Sequence, residues 1–209
     1  MRADAQAKRQ SLVASARRLF AEHGPQVPLS SVAEDAGVGI GTLYRHFPTR
    51  SDLMYAIAED LCGQAVDATR KCQQVWDADP ESAWLGLVRE LCSLRPSALV
   101  TQLAIPSVLE TLPPEAIRLR ERAFGAVDAV LVQAKAAELV EEGLTAARFL
   151  IGLATITRPL PQFPPALLPD ETDWLINTYL RGLRPESPRH RRTVAPARLP
   201  PVQQTNDSR

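Results

Sequence analysis

Residues 29–52, LSSVAEDAGVGIGTLYRHFPTRSD, constrain this chain more than any other stretch. Val32, Ala33 and Ala36 give a short helix one apolar face, and Gly37 is placed to end it, because glycine enters φ > 0 without steric cost. After Val38, Gly39 can cap a second helix, Ile40 to Phe47. Leu43 and Phe47 lie four residues apart and face inward together, which leaves Thr42, Tyr44, Arg45 and His46 on the other faces. A short helix with outward cations and an aromatic hydroxyl, set at an angle by a tight turn, has the dimensions of a DNA major-groove reading head.

The rest of the chain reads as helices punctuated by proline and glycine. The first eight residues read as a flexible arm, with Arg2, Lys8 and Arg9 free to touch phosphates. Residues 9–23 place Leu12, Val13, Ala16, Leu19 and Phe20 on a 3.6-residue stripe, and Gly24-Pro25 stops that helix. Thr49, with Asp52 three residues on, caps a long connector running to about Trp76. Asp79-Pro80 restarts a helix, since proline is favourable at the first helical position. Prolines 96, 106, 113 and 114 cut residues 97–112 into one or two short helices. A long helix is expected from about Glu115 to Val140, broken by Gly143, and Thr145 caps another from Ala146 to Arg158. Residues 159–169, PLPQFPPALLP, carry five prolines and suit neither helix nor central strand. Asp170 caps a last helix through Leu183, and residues 184–209 have almost nothing to bury and read as disordered. No useful β alternation occurs, so the expected fold class is all-α with about nine helices.

Composition excludes several functions. The chain carries no charged-then-apolar leader and no apolar run near eighteen residues, so a cytoplasmic protein without a membrane span is expected. Cys62, Cys72 and Cys92 lack C-x-x-C spacing and a nearby histidine; reduced core thiols suit them better than a redox or metal site. The histidines, His23, His46 and His190, are scattered, and no P-loop, G-x-S-x-G or G-x-G-x-x-G is present, so no enzyme, metal or cofactor is indicated. Net charge is zero but uneven: residues 1–52 hold seven Lys/Arg against five Asp/Glu, residues 53–183 eleven against seventeen, and residues 184–209 six against two. A mildly basic head on an acidic body suits end-on approach to DNA.

Residues 29–52 closely resemble the helix-turn-helix of the tetracycline-repressor (TetR) family of transcription regulators. The matching residues are Val32-Ala33, Ala36-Gly37-Val38, Gly41-Thr42-Leu43-Tyr44, His46-Phe47, and Arg50 where the family usually has lysine. Upstream, Leu12, Ala16, Leu19, Phe20 and Gly24 fall where the family places its first-helix core and stop. Pro28 and Gly39 depart from it, each losing a side-chain oxygen where the family usually has a Thr or Ser cap. The Pro-rich loop and the closing Leu-Arg-Gly-Leu-Arg-Pro more loosely resemble one actinobacterial-type regulatory subfamily.

The resemblance implies a DNA-binding domain over residues 8–67, with its helix-turn-helix at about 28–47, and a ligand-binding and dimerisation domain over 68–183. It implies operator contacts from Ser30, Thr42, Tyr44, Arg45, His46 and Arg50. Arg45 is the candidate for base choice, since its fork matches guanine O6 and N7, and Arg50 for a phosphate clamp at a helix N-terminus. It also implies a ligand-responsive regulator, most readily a repressor, that binds a near-palindromic operator as a homodimer and is released by a small molecule. The alternative is a helical ligand-binding or protein-interaction module that no longer reads DNA. Trp76, Trp84, Leu87, Leu91, Phe124 and Leu150 either line a ligand pocket or form plain core, and the absence of clustered buried-type charges favours a mostly apolar effector. The apolar sides of residues 145–158 and 170–183, with Phe149, Leu153, Trp174 and Tyr179, suggest a four-helix dimer interface.

Overall fold

The computed structural model describes residues 2–24, 26–94, 113–157 and 171–185. These form eight helices and no strand: α1 Arg2–His23, α2 Leu29–Asp35, α3 Ile40–His46, α4 Arg50–Val75, α5 Pro80–Ser93, α6 Pro114–Ala136, α7 Ala146–Ile156 and α8 Glu171–Leu183. The short helices expected within 97–112, the Pro-rich loop, the Asp170 cap and nearly all of the tail lie outside the described residues.

α1, α2 and α3 close around Leu12, Ala16, Phe20, Val32, Leu43 and Phe47, all buried. α4 runs from this head into the body, packing on α1 at one end and along α5 and α6 beyond it. α7 rests on α6 and pairs with α8. A single continuous core joins Leu12 in α1 to Leu183 in α8, so head and body share packed side chains through α4.

Local chemistry sets most boundaries. Thr49 and Asp52 form a reciprocal capping box: the Asp52 N–H donates to Thr49 Oγ1 at 3.1 Å and the Thr49 N–H to Asp52 Oδ2 at 2.9 Å. Asp79 caps α5 by accepting from the Ser82 N–H at 3.0 Å, and Thr145 caps α7 by accepting from the Arg148 N–H at 3.3 Å. α2 leaves through Gly37 at φ 67°, where the Val38 N–H reaches Ala33 O and the Gly37 N–H reaches Glu34 O, the paired bonds of a Schellman turn.

Two expectations need correction. The first eight residues are not an arm: α1 begins at Arg2, with Asp4 in its first turn and a Lys8–Asp4 pair one turn apart at 2.7 Å. The helix expected to run to about Val140 ends at Ala136. Glu138 takes the left-handed conformation at φ 55°, and the Leu139 N–H bonds Ala134 O at 2.9 Å, so a non-glycine residue makes the Schellman turn here.

Candidate nucleic-acid interface

α3 is held by its buried side. Leu43 is fully buried, and Phe47, just past the helix, is buried too, its N–H bonded to Leu43 O at 2.8 Å. Arg9 of α1 lies over the Phe47 ring, 5.4 Å from its centroid, and pairs with Glu59 of α4 at 3.6 Å. The α2–α3 turn is tied down from α1, where the Ser11 hydroxyl donates to Ala36 O at 3.2 Å and Arg18 pairs with Asp35. The Ser15 hydroxyl and Arg18 hold the Asp35 carboxyl below the usual carboxylate range. Arg17 bonds Asp60 of α4 at 2.9 Å, so α1 clamps the connector twice.

That clamping leaves α3's other side exposed. Tyr44 is half exposed, Arg45 is exposed, and Thr42 and His46 are partly so. Among the described residues neither Tyr44 nor Arg45 hydrogen-bonds to another side chain, while the His46 ring stands 6.3 Å from that of Phe47. Ser30 is exposed on the first turn of α2. These five side chains therefore present hydroxyl, guanidinium and imidazole groups from one head.

Arg50 is more committed than a simple phosphate clamp. Its Nη2 donates to Val27 O at 2.7 Å and its guanidinium lies over Phe20, 5.7 Å from the centroid, tying the start of α4 to the entry of α2. The sequence reading missed Arg9 because it was assigned to an arm. It also missed Ile40, which is 43% exposed one turn before Tyr44; an exposed β-branched residue at i−4 from a proposed contact was the available signal.

The residues expected to line a pocket are core or near it. Trp76, Trp84, Leu87, Leu91 and Leu150 are buried and Phe124 is half-buried against the same cluster. Trp84 meets the Phe149 ring at 5.1 Å between centroids. An open groove of about 380 Å³ lies instead between the end of α4 and α5, and of the six only Leu87 lines it.

The expected interface divides. Phe149 and Leu153 are 0% exposed and fill the monomer core against α5, so they cannot face a second subunit. Tyr179 is half-buried: its hydroxyl donates to Phe149 O at 3.2 Å and its ring stacks near that of Phe149. A Cβ on Gly152 would overlap this ring, so the glycine permits α7 and α8 to approach within their own chain. Only Trp174, at 60% exposure, points outward, with Ile151 of α7 also exposed. Burial pushes the Cys62, Cys72 and Cys92 thiols up to about 11, which keeps thiolate scarce at neutral pH and suits a packing role.

Residues 12–57 match the family described as bacterial regulatory proteins, tetR family. The HTH-type transcriptional regulator SAUSA300_2515 of Staphylococcus aureus is 42% identical over 60 residues, 28% of this chain. The match spans about a third of that relative's length, 32%. Among solved structures, the TetR transcriptional regulator SCO0520 of Streptomyces coelicolor is 26% identical, covering 86% of this chain and 99% of its own with a TM-score of 0.55. The TetR-like regulator LfrR of Mycobacterium smegmatis, in complex with proflavine, shares the fold at 22% identity with a TM-score of 0.64, over 87% of this chain and 98% of its own. These relatives are named as regulators rather than enzymes. Residues 12–57 thus carry a helix-turn-helix of the tetR type, and the helical body behind it is similar to that of the TetR transcriptional regulator SCO0520.

Proposed function

We propose that this protein is a cytoplasmic transcription regulator, most simply a repressor. In this reading it binds a near-palindromic operator as a homodimer and is released by a small-molecule effector. The observation that carries it is the division of α3: Leu43 and Phe47 anchor the helix while Tyr44, Arg45, Thr42 and His46 stand outward. Tyr44 and His46 would bond phosphate or groove edges, Arg45 would pair with a guanine, and Thr42 and Ser30 would add hydroxyl contacts. Arg50, which donates to Val27 O, would place a positive charge near phosphate at the start of α4. Residues 8–67 would form the DNA-binding unit and 68–183 the regulatory one, with α4 transmitting the state of the body to the head. LfrR with proflavine is an instance of a small molecule held on this fold.

A gel shift with DNA from upstream of the protein's own gene tests this reading. Tyr44→Ala and His46→Ala should each weaken binding by about 1–3 kcal/mol, with melting temperature nearly unchanged. Arg45→Ala should in addition relax base choice at one half-site position. Variants that bind as well as the parent, or a parent that prefers no upstream sequence, would leave the interaction-module reading in its place.

A further inference from the structure

Arg120 sits on the half-buried side of α6, the helix that packs along α4. Its guanidinium lies over the Phe124 ring, 4.5 Å from the centroid. Stacking uses the flat face of a guanidinium and leaves its N–H donors, which lie in the plane, directed outward past the ring. Arg120 Nε is buried and has no hydrogen-bond partner. The Arg120 charge also reaches Cys62, midway along α4, where it opposes the effect of burial on the thiol.

None of the carboxylates of the two helices pairs with Arg120, and all but Glu121 are engaged elsewhere. On α4, Asp52 is in the capping box, Glu59 pairs with Arg9, Asp60 with Arg17, and Asp67 with Arg70. On α6, Glu115 pairs with Arg118, Asp128 accepts from the Ala146 N–H at 2.9 Å, and Glu121 is exposed and forms no ion pair with Arg120. No described residue supplies Arg120 with an anion. A partly desolvated guanidinium, oriented by an aromatic ring and lacking a counter-charge among the described residues, is suited to an oxyanion that its fork can bind through two bonds.

We propose that Arg120 anchors the effector, and that the effector is an organic oxyanion whose apolar body lies beside Phe124. The inference rests on the reading of this chain as an effector-responsive regulator, and it adds a charged head to the mostly apolar molecule expected from sequence. Carboxylates and phosphate monoesters share the required chemistry. An anion bound at Arg120 would bear on the middle of α4, the helix that carries the reading head.

Isothermal titration of the full chain, without DNA, against 2-naphthoate, 2-naphthyl phosphate and 2-naphthol tests the assignment, with decanoate and decanol as a second matched pair. At least one oxyanion should bind about tenfold or more tighter than the alcohol of the same body, and the better head group names the class. Arg120→Gln should abolish that preference and leave alcohol binding unchanged. Arg120→Lys, which keeps the charge without the fork, should retain only part of it, and it carries the test should the glutamine variant not fold. Equal binding of oxyanion and alcohol by the parent, no oxyanion bound at all, or an undiminished preference in the Arg120 variants would overturn the assignment. A failed gel shift beside intact oxyanion binding would overturn the regulator reading alone.

Discussion

Glu138 holds a left-handed backbone, φ 55°, at an exposed position where nothing about its side chain requires glutamate. For an L-residue that conformation costs about 1–2 kcal/mol, and the two Schellman bonds that depend on it are backbone bonds that glycine makes equally well. Glu138→Gly should therefore stabilise the fold by up to about 1 kcal/mol, once the greater freedom of glycine in the unfolded chain is set against the relief. Urea denaturation checks it, and a destabilised variant would mean the Glu138 side chain does more than follow its backbone. The contrast with Gly37 shows what residue identity can and cannot reveal. Gly37 announced its turn because glycine is the residue that usually sits there, and the structure has it at φ 67°. Glu138 announced nothing, so α6 was expected to run on to about Val140, past its end at Ala136.

At the level of elements, what was legible was what is local. Thr49 with Asp52, Asp79 with Pro80, and Thr145 each close a cap within three residues, and each start falls where the sequence put it. What was not legible depends on which element meets which. The apolar stripe of α7 was evident, but periodicity does not say whether it meets the same chain or another; Phe149 turns toward Trp84 of α5, in the same chain. The N-terminus of α7 likewise receives Asp128 from α6, a partner 18 residues away that spacing could not reveal. Of the side chains proposed to face DNA, the outward placement of Thr42, Tyr44, Arg45 and His46 was readable because Leu43 and Phe47 fix the helix phase. The second use of Arg50, on Val27 O, needed the three-dimensional path. The caps also make an acid-stability prediction. Bonds from Ser82 hold the Asp79 carboxyl below its ordinary value of 3.8, so the folded state favours the ionised cap. Its stabilisation is present above the ordinary aspartate range and is lost as pH falls through the lowered folded value. Asp79→Ala should reduce stability at neutral pH and narrow its gap to the parent below pH about 3. A gap that stays constant across melts from pH 7 to pH 2 would show that the carboxylate's charge is irrelevant to the cap.

On the proposed regulator reading, the whole molecule raises the question of how one small head would select an operator. A recognition helix of seven residues touches only a few base pairs, too little to choose among genomic competitors, whereas two heads about 34–36 Å apart read two half-sites together. Such an arrangement needs a surface on the body, away from α3, that a second copy can cover. With Phe149 and Leu153 consumed by the monomer core, the exposed apolar residues Trp174 of α8 and Ile151 of α7 are the remaining candidates on the two helices first expected to pair. α7 and α8 already form a rigid unit, because Gly152 admits the Tyr179 ring and the Tyr179 hydroxyl bonds Phe149 O. A large aromatic on a rigid, otherwise polar face is the kind of anchor that dominates an interface. Val132 of α6 is about as exposed, at 66% against 60%, and offers the competing face. Trp174→Arg should therefore shift the protein toward monomer in sedimentation velocity by more than a hundredfold in dimer dissociation constant, about 3 kcal/mol, as loss of an aromatic hot spot implies. Its monomer fold should survive, since the side chain already lies mostly in solvent. Operator affinity should fall with it, because half-site binding loses the linkage between heads, while a single half-site should bind as before. Val132→Arg should leave the dimer intact. A Trp174→Arg protein that remains dimeric while Val132→Arg dissociates would move the interface to α6, and with it the spacing at which the two heads meet DNA.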